Sequence, residues 1–136
     1  MAKLKLSIVT PERRIGDYEV DFVAIPAAYG EMGILPGHTA CVVRLAEGIL
    51  RYKDGQTENE FAVMGGYAEV FNDEISVFAE SAALAGEINE EKERQAVQKA
   101  KDALLAKEKD MDIEAVQASL RKASLRIKLL EKHRRH

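Results

Sequence analysis

The sequence is poor in residues that would support a disulfide framework or a membrane anchor. It contains one cysteine, Cys41, no tryptophan and three prolines among 136 residues. A single cysteine excludes an internal disulfide and a multi-cysteine metal site, and the apolar run Cys41–Val43 favours a small buried side chain over a reactive thiol. No apolar run approaches the length of about 18 residues that spans a bilayer, and Met1–Leu6 lacks the apolar core of a signal peptide. We therefore expect folding in a reducing compartment such as the cytoplasm.

The sequence also lacks the common signatures of catalysis. No segment matches the GxxxxGK[ST] phosphate loop, which excludes a catalytic ATPase of that type. His38 is the only histidine before His133, and neither a nucleophile nor a second metal ligand is spaced to act with it. His133 and His136 lie near the end of the chain, where solvated side chains are the rule. We predict no catalytic site and no metal site.

Charge is distributed unevenly along the chain. Residues 1–86 carry 7 Lys and Arg against 13 Asp and Glu, whereas residues 87–136 carry 13 against 10. The formal net charge of −3 therefore hides a basic C-terminal end, in which the last sixteen residues hold seven bases and one acid, Glu131. An anionic partner is expected to bind this end.

The first part of the chain follows the two-residue period of half-buried β-strands. Leu4–Ile8 and Ile75–Ala79 alternate apolar and polar or outward side chains. Turn residues separate such segments: Asp54-Gly55 predicts a hairpin, and Gly65-Gly66 predicts a β-bulge or a close approach of two backbones. Short strands at regular spacing, without a helical pattern between them, predict a β-sandwich or flattened barrel over residues 1–86.

The period becomes helical after Gly86. Asn89 is the predicted N-cap of a first helix that runs to about Lys109, and Asp110–Asp112 is predicted to form a break and a second cap. So short a connection predicts an antiparallel hairpin over residues 87–136. The predicted apolar seam comprises Ala96, Ala100 and Ala103 on the first helix and Ile113, Val116, Leu120, Ala123, Ile127 and Leu130 on the second.

The predicted hairpin has a weak core, because its first helix contributes mostly alanine. Each alanine in place of leucine gives up roughly 2 kcal/mol of burial, at about 0.8 kcal/mol per carbon. We therefore expect the hairpin to be detachable from the sandwich.

Four segments resemble the epsilon subunit of bacterial and chloroplast F-type ATP synthases. Tyr29–His38 reads YGEMGILPGH and is similar to the GxxGxxPGH segment of that family. Met64–Val70 reads MGGYAEV and resembles its GG(F/I)xEV segment. Ser7–Pro11 resembles the opening strand, and Gly48–Arg51 resembles the Gx(L/I)R segment. The resemblance covers essentially all 136 residues and ends, as the family does, in a helical hairpin.

The resemblance implies a fold and a set of partners. It implies a ten-stranded β-sandwich followed by an antiparallel two-helix hairpin, in a subunit without a catalytic site of its own. In that family the sandwich binds the gamma subunit at the foot of the central stalk and rests on the ring of c subunits, which its glycine-rich loop faces. By position, Glu31, Gly33 and His38 are the expected contacts with the c-ring and rotor. The subunit would couple proton translocation to ATP synthesis at the cytoplasmic face of the bacterial inner membrane, held there only through the complex.

The resemblance also implies that the hairpin is regulatory. In bacterial members it lies folded or extends into the alpha/beta catalytic head, where its basic second helix meets an acidic segment of the beta subunit and blocks ATP hydrolysis. A simpler interpretation is that these bases complement the helix dipole and keep the helix soluble. The expected inhibitory residues are Arg121, Lys122, Arg126, Lys128, Lys132, Arg134 and Arg135.

Some bacterial members bind ATP through an (I/L)DxxRA motif at the start of the first helix. The matching residues here are Ile88–Glu93, in which asparagine, lysine and glutamate replace the aspartate, arginine and alanine. Lysine lacks the bidentate fork of arginine, and Glu93 places a negative charge near the expected phosphates. We therefore expect weak ATP binding or none, and no other cofactor. The residues that would contribute are Ile88, Asn89, Lys92, Lys99 and Arg126.

Two alternative functions have less support in the sequence. A β-sandwich hydrolase or lectin-like module needs paired carboxylates or an activated nucleophile in a polar pocket, and the sequence shows no such cluster. A nucleic-acid or protein adaptor could use the basic C-terminal helix, but nucleic-acid binding favours aromatic residues among the bases, and none follows Phe78. We expect no nucleic-acid partner.

Overall fold

The structure, a computed structural model, describes residues 3–106 and 109–134, with side chains described as far as Lys132. The chain divides into two units, Met1–Leu84 and Ala85–His136.

The described part of the first unit contains eight β-strands, several of which alternate buried and exposed side chains. In β1, for example, Leu4, Leu6 and Ile8 are buried, whereas Lys5 is exposed. This is the pattern expected of a strand with one face on a core. The strands are β1 (Leu4–Val9), β2 (Arg14–Val20), β3 (Phe22–Ala27), β4 (Gly30–Ile34), β5 (Cys41–Arg44), β6 (Gly48–Asp54), β7 (Thr57–Phe71) and β8 (Glu74–Leu84).

Two long strands, β7 and β8, connect the two layers of this unit. The hydrogen-bonded order is β2-β1-β8-β7-β6-β3-β4, with β5 also paired to β7. The first part of β7 pairs with β6 and its last part with β5, while only the first part of β8 pairs with β1. Within the described residues this gives one layer β2-β1-β8-β7-β5 and a second layer β8-β7-β6-β3-β4. Counting each half of β7 and β8 separately gives the predicted ten strands.

The change of layer occurs at Gly65 and Gly66, which have φ angles of +61° and +96°. A Cβ atom built on Gly66 would lie 1.9 Å from the carbonyl oxygen of Phe78, so only glycine fits there. The register of β7 and β8 is the same on both sides of this point, with Met64 opposite Ser81 and Gly66 opposite Ala79. Of the two predicted alternatives, the glycines therefore mark a close backbone approach and not a bulge.

The core of the sandwich is continuous and apolar. It includes the buried side chains of Leu6, Leu50 and Phe61, which come from both layers. The ring of Tyr52 stacks on that of Tyr18 with centroids 4.9 Å apart, and its centroid lies 6.1 Å from that of Phe61. Because β2 and β6 belong to different layers, this aromatic cluster joins the layers at one side.

The predicted hairpin at Asp54-Gly55 is confirmed. Asp54 pairs with Thr57 across a two-residue turn, and Gly55 has a φ of +63°. The Gly55 amide donates a 2.7 Å hydrogen bond to Oδ2 of Asp21. The Lys3 ammonium, 2.7 Å from Oδ1, is the larger cause of the lowered pKa of Asp21, and the hydrogen bond from Gly55 is the smaller cause.

The described part of the second unit contains two α-helices, α1 (Glu90–Ala106) and α2 (Ile113–Arg134), after a short 3-10 turn at Ala85–Glu87. Both predicted caps are confirmed: Asn89 Oδ1 accepts from the Lys92 amide, and Asp112 Oδ1 accepts from the Ala115 amide, each at 3.1 Å. Glu93, near the start of α1, contacts Arg126, in the second half of α2. The two helices therefore run antiparallel, as predicted.

The apolar seam differs from the predicted one at several positions. Ala96 and Ile113 are exposed, whereas Ala100 and Ala123 are buried as expected. Leu129 is fully buried although it was not predicted to face the seam. The buried face of α1 follows Glu93, Val97, Ala100 and Leu104, at steps of four, three and four, so that it is rotated by about one residue from the alanine row.

Candidate functional site

The segment predicted to form a glycine-rich contact loop is in part an edge strand. Residues 30–34 form β4, which pairs only with β3 among the described strands. The extended backbone of β4 allows Gly33 to sit beside the Phe22 ring, where an added Cβ would lie 3.1 Å from Cε2. The exposed turns flank this strand, with Tyr29 before it and Leu35 to His38 after it.

Glu31 is engaged within the sandwich. Its Oε1 accepts a 2.9 Å hydrogen bond from Nη2 of Arg51, whose Nη1 also lies 3.4 Å from Glu58. The Arg51 guanidinium lies 5.7 Å from the centre of the Phe22 ring. Arg51 has its pKa raised, chiefly by the hydrogen bond to Glu31. A partner that binds Glu31 would therefore compete with Arg51.

His38 lies beyond the other end of β4. Its Nδ1 is 2.8 Å from the carbonyl oxygen of Thr39, and its amide donates to the Leu35 carbonyl. The neighbouring Gly37 amide donates a 2.7 Å bond to Asp73, which fixes the loop. Because β4 rises about 3.4 Å per residue, Glu31 and His38 belong to opposite ends of the strand. Gly33 and His38 line one shallow hollow, and Glu31 is not among its lining residues.

Two exposed side chains beside these residues were missed by the sequence analysis. Tyr29 is fully exposed in the turn before β4, and Leu35 is exposed in the turn after it. The signal was present in the segment YGEMGILPGH, because each apolar side chain precedes a turn-forming Gly or Pro. We add both to the candidate contact surface at the ends of β4.

The outer face of the layer β2-β1-β8-β7-β5 carries a second candidate surface. Tyr67 is opposite Phe78, which in turn is opposite Val9 on β1. These three side chains therefore form one row across three strands. Val9 and Phe78 also line a shallow hollow of about 300 Å³ together with Thr10, Pro11, Ala79 and Glu80.

Two more large apolar side chains are exposed on strands of the same layer. Phe71 at the end of β7 shares the outward direction of Tyr67, since both alternate with buried neighbours. Val42 on β5 is also outward, since it alternates with half-buried neighbours that pack against the core. We call the set Val42, Tyr67, Phe71 and Phe78, all of them exposed, the apolar sheet face. A cluster of exposed aromatic residues on a rigid sheet is typical of a protein-binding surface.

The basic residues of α2 lie on two faces of the helix. Arg121 and Lys128 are exposed and seven residues apart, which places them two turns apart on one side. Lys122 and Arg126 are half-buried on another side, while Lys132, also half-buried, lies one turn beyond Lys128 on the first side. Of the other predicted bases, Arg134 belongs to α2 but its side chain lies outside the described residues, as does all of Arg135. The predicted cationic surface is therefore divided in the described hairpin.

Several residues predicted to contribute to ATP binding make contacts within the described hairpin. The Ile88 amide donates to the Ala85 carbonyl, and the Asn89 side chain caps α1. Lys92 and Lys99 are exposed and two helical turns apart. Arg126 donates a 3.1 Å hydrogen bond to Glu93, whose side chain would compete with a phosphate for this guanidinium.

Within residues 3–106 and 109–134, no group of three or more His, Cys, Asp or Glu side chains is placed to hold a metal ion. No helix in the described part of the chain is both long and apolar enough to cross a bilayer. Cys41 is partly buried against the sandwich core.

Comparisons with known proteins agree over most of the chain. Residues 3–85 match the family described as ATP synthase, Delta/Epsilon chain, beta-sandwich domain. The chain is 50% identical over 105 residues to the ATP synthase epsilon chain of Elusimicrobium minutum (strain Pei191), covering 76% of this chain and 78% of that one. It is 40% identical over 130 residues to the ATP synthase epsilon chain of Syntrophobacter fumaroxidans, covering 96% and 97%.

A solved structure extends the similarity to both units. A chain in the cryo-EM structure of Euglena gracilis mitochondrial ATP synthase, OSCP/F1/c-ring in rotational state 1, is similar with a TM-score of 0.70 and 29% identity. That match covers 100% of this chain and 83% of the other.

Proposed function

The chain belongs to the epsilon-subunit family of F-type ATP synthases, and from this premise we propose that it links the gamma subunit to the c-ring and restrains ATP hydrolysis through its hairpin. It acts in the central stalk as a non-catalytic part, coupling proton translocation to ATP synthesis. In a bacterial cell it lies at the cytoplasmic face of the inner membrane, where the complex holds it.

The apolar sheet face is the observation that carries this proposal. Tyr67, Phe71 and Phe78 are exposed on a layer whose opposite side is fully packed, so the strands beneath them are rigid. Rigid aromatic side chains bind a protein partner with little loss of conformational entropy. We assign this face to the gamma subunit.

The two ends of β4 are the proposed contact with the c-ring. Glu31, Gly33 and His38 remain the proposed residues by position in the family, now joined by Tyr29 and Leu35. The polar loops of the ring would meet an exposed aromatic side chain at one end of β4 and an imidazole at the other. Binding through Glu31 would require it to exchange or share Arg51.

The hairpin is the proposed regulatory part. Its core contains small side chains, so its closed form is held by few apolar contacts. Opening would release Lys122, Arg126 and Lys132 from their half-buried positions and join them to the exposed bases. The opened α2 would then present a stronger positive charge to an acidic segment of the catalytic head.

Removing residues 87–136 tests the regulatory role. The shortened chain is reconstituted with the remaining subunits, and ATP hydrolysis, assembly and ATP-driven proton pumping are measured. We expect hydrolysis to rise while assembly and coupling persist. Unchanged hydrolysis would rule out an inhibitory hairpin.

Replacing one aromatic residue tests the assignment of the apolar sheet face. Phe78→Asp places a charge in the proposed interface, and we expect binding to the gamma-containing complex to weaken by at least about tenfold. Gln56→Asp, in the exposed turn after Gly55, is the matched control and should bind as the original chain does. Equal binding by the two variants would place the gamma contact elsewhere.

A further inference from the structure

The described hairpin buries one ion pair between its helices. Glu93 is 8% exposed as a residue, and its Oε1 lies 3.1 Å from Nη1 of Arg126. The Arg126 side chain is 23% exposed, so most of this side chain is also removed from water. Charges at this depth are tolerated only when they are paired, because each loses much of its hydration.

The position of Glu93 makes this pair unusual within the helix. Glu93 shares the buried face of α1 with Val97, Ala100 and Leu104, all of which are apolar. An apolar side chain at residue 93 would bury more carbon without losing any hydration. A carboxylate there makes the closure of the hairpin depend on one particular cation of α2.

We propose that Glu93 and Arg126 form a latch that holds the start of α1 against the second half of α2 and withholds Arg126 from an acidic protein partner. The latch rests on the proposed regulatory function of the hairpin. It adds to that function the contact that determines how readily the two helices separate. Opening of the hairpin exchanges one buried ion pair for two hydrated charges. The free-energy difference between the closed and open forms is therefore small, and a partner can shift it. An acidic segment that takes Arg126 would replace Glu93 as its counter-ion.

A second interhelical charge contact is weaker. Arg94 pairs within α1 with Glu90 at 2.9 Å and reaches Glu131 of α2 only at 3.9 Å. The Arg94 side chain is 55% exposed, and exposed pairs stabilise little. Of these pairs in the described hairpin, the buried one is therefore the contact whose loss would most destabilise the closed form.

The asymmetry of a buried pair supplies the test. Removing only the Glu93 carboxylate leaves Arg126 buried without compensation, which disfavours the closed hairpin. Exchanging the two charges, with Glu93→Arg and Arg126→Glu together, leaves the pair present and should restore closure. A purely steric role for Glu93 would not be rescued in this way.

Helix separation is measured in the full chain by the distance between two spin labels. The labels are placed at Gln95→Cys on α1 and Ser124→Cys on α2, which are both exposed, in a Cys41→Ser background. Antiparallel pairing around Glu93 and Arg126 brings these two positions near each other in the closed form. Glu91→Ala is the matched control, because it removes an exposed acid from the same turn.

We expect Glu93→Ala to raise the population of separated helices by at least about tenfold, with the charge-exchanged chain and the Glu91→Ala control close to the original distribution. The effect is smaller than for a fully buried pair because Arg126 keeps some contact with water. An unchanged distribution in Glu93→Ala, or an exchanged pair that stays open, would overturn the latch.

ATP hydrolysis by the reconstituted complex separates this proposal from the one on which it rests. If Glu93→Ala opens the hairpin and lowers hydrolysis, the latch and the inhibitory role of the hairpin are both supported. If it opens the hairpin without lowering hydrolysis, the latch stands and the inhibitory role of the hairpin fails. A closed hairpin in Glu93→Ala refutes the latch whatever the truncated chain does.

Discussion

The two units of this chain are stabilised by different means. The sandwich buries large side chains completely, among them Phe61 and Leu50. The fully or nearly fully buried apolar side chains of the described hairpin are Ala100, Ala123 and Leu129. Full burial of a large apolar side chain stabilises by about 1.5–3 kcal/mol, and alanine contributes much less. The sandwich is therefore suited to be a rigid scaffold, and the hairpin to be a part that opens.

The charges of the two units follow the same division. Exposed acids and bases on the sandwich form surface pairs such as Arg14 with Asp17, a bidentate pair in which both side chains are exposed. In the hairpin a charge pair occupies the buried face itself, where it replaces apolar contact. A surface pair adds little to stability in either direction, whereas a buried pair makes stability depend on both partners.

The largest effect is expected from Gly66→Ala in the sandwich. Alanine at a φ of +96° is strained, and its Cβ would meet the Phe78 carbonyl oxygen at 1.9 Å, so β7 and β8 must separate where the layers change. We expect a loss of about 4 kcal/mol or more in the free energy of unfolding, measured by urea denaturation.

Gly55→Ala is the control for that substitution. Gly55 also has a positive φ, +63°, but no heavy atom outside its neighbours lies within 4 Å of an added Cβ. The Gly55→Ala variant should lose only about 1–2 kcal/mol of its free energy of unfolding, which is the cost of a left-handed backbone at a residue with a Cβ atom. If the two variants lose the same amount, the close approach at Gly66 is not what holds the layers together.

A smaller and more local effect is expected from Asp112→Ala in the hairpin. Asp112 caps α2 through the Ala115 amide, and loss of an N-cap costs about 1 kcal/mol. Native-state hydrogen exchange should show faster exchange in α2, with sandwich amides unchanged. Asp110→Ala removes an exposed acid from the same connection and is the control. Equal loss of protection in both units would mean that they open together, and the hairpin would then not be a part that opens separately from a rigid sandwich.

Local signals in the sequence predicted local structure well. The Asp54-Gly55 hairpin and the caps Asn89 and Asp112 are decided by side chains within a few residues of each backbone group they satisfy. Strand alternation at Leu4–Ile8 likewise depends only on which neighbours are apolar. The family resemblance supplied the ten-strand count, which the alternation alone left open.

What could not be predicted depends on contacts between distant residues. Glu93 reads as a solvated acid of the first helical turn, and only Arg126, 33 positions away, makes its burial tolerable. Residues 30–34 read as a loop because of their glycines, but pairing with β3 makes them a strand. Ala96 was placed in the seam by its spacing, while the actual rotation of α1 is set by which side chains α2 can pack against.

The smallest effect concerns pH and belongs to the sandwich alone. Burial, with smaller contributions from Tyr18 and Asp54, raises the pKa of the Tyr52 phenol above its ordinary value of 10.0. A raised pKa means that the folded state holds this proton more tightly. The stability that the proton contributes is therefore complete below pH 10 and is lost as the pH rises through the pKa of the folded state.

Tyr52→Phe should flatten the decline of sandwich stability above pH 10, measured by urea denaturation at a series of pH values. Tyr29→Phe, at a fully exposed ring, is the control and should leave the decline unchanged. An alkaline decline that is as steep in Tyr52→Phe as in the original chain would show that another group, and not the aromatic cluster joining the layers, governs it.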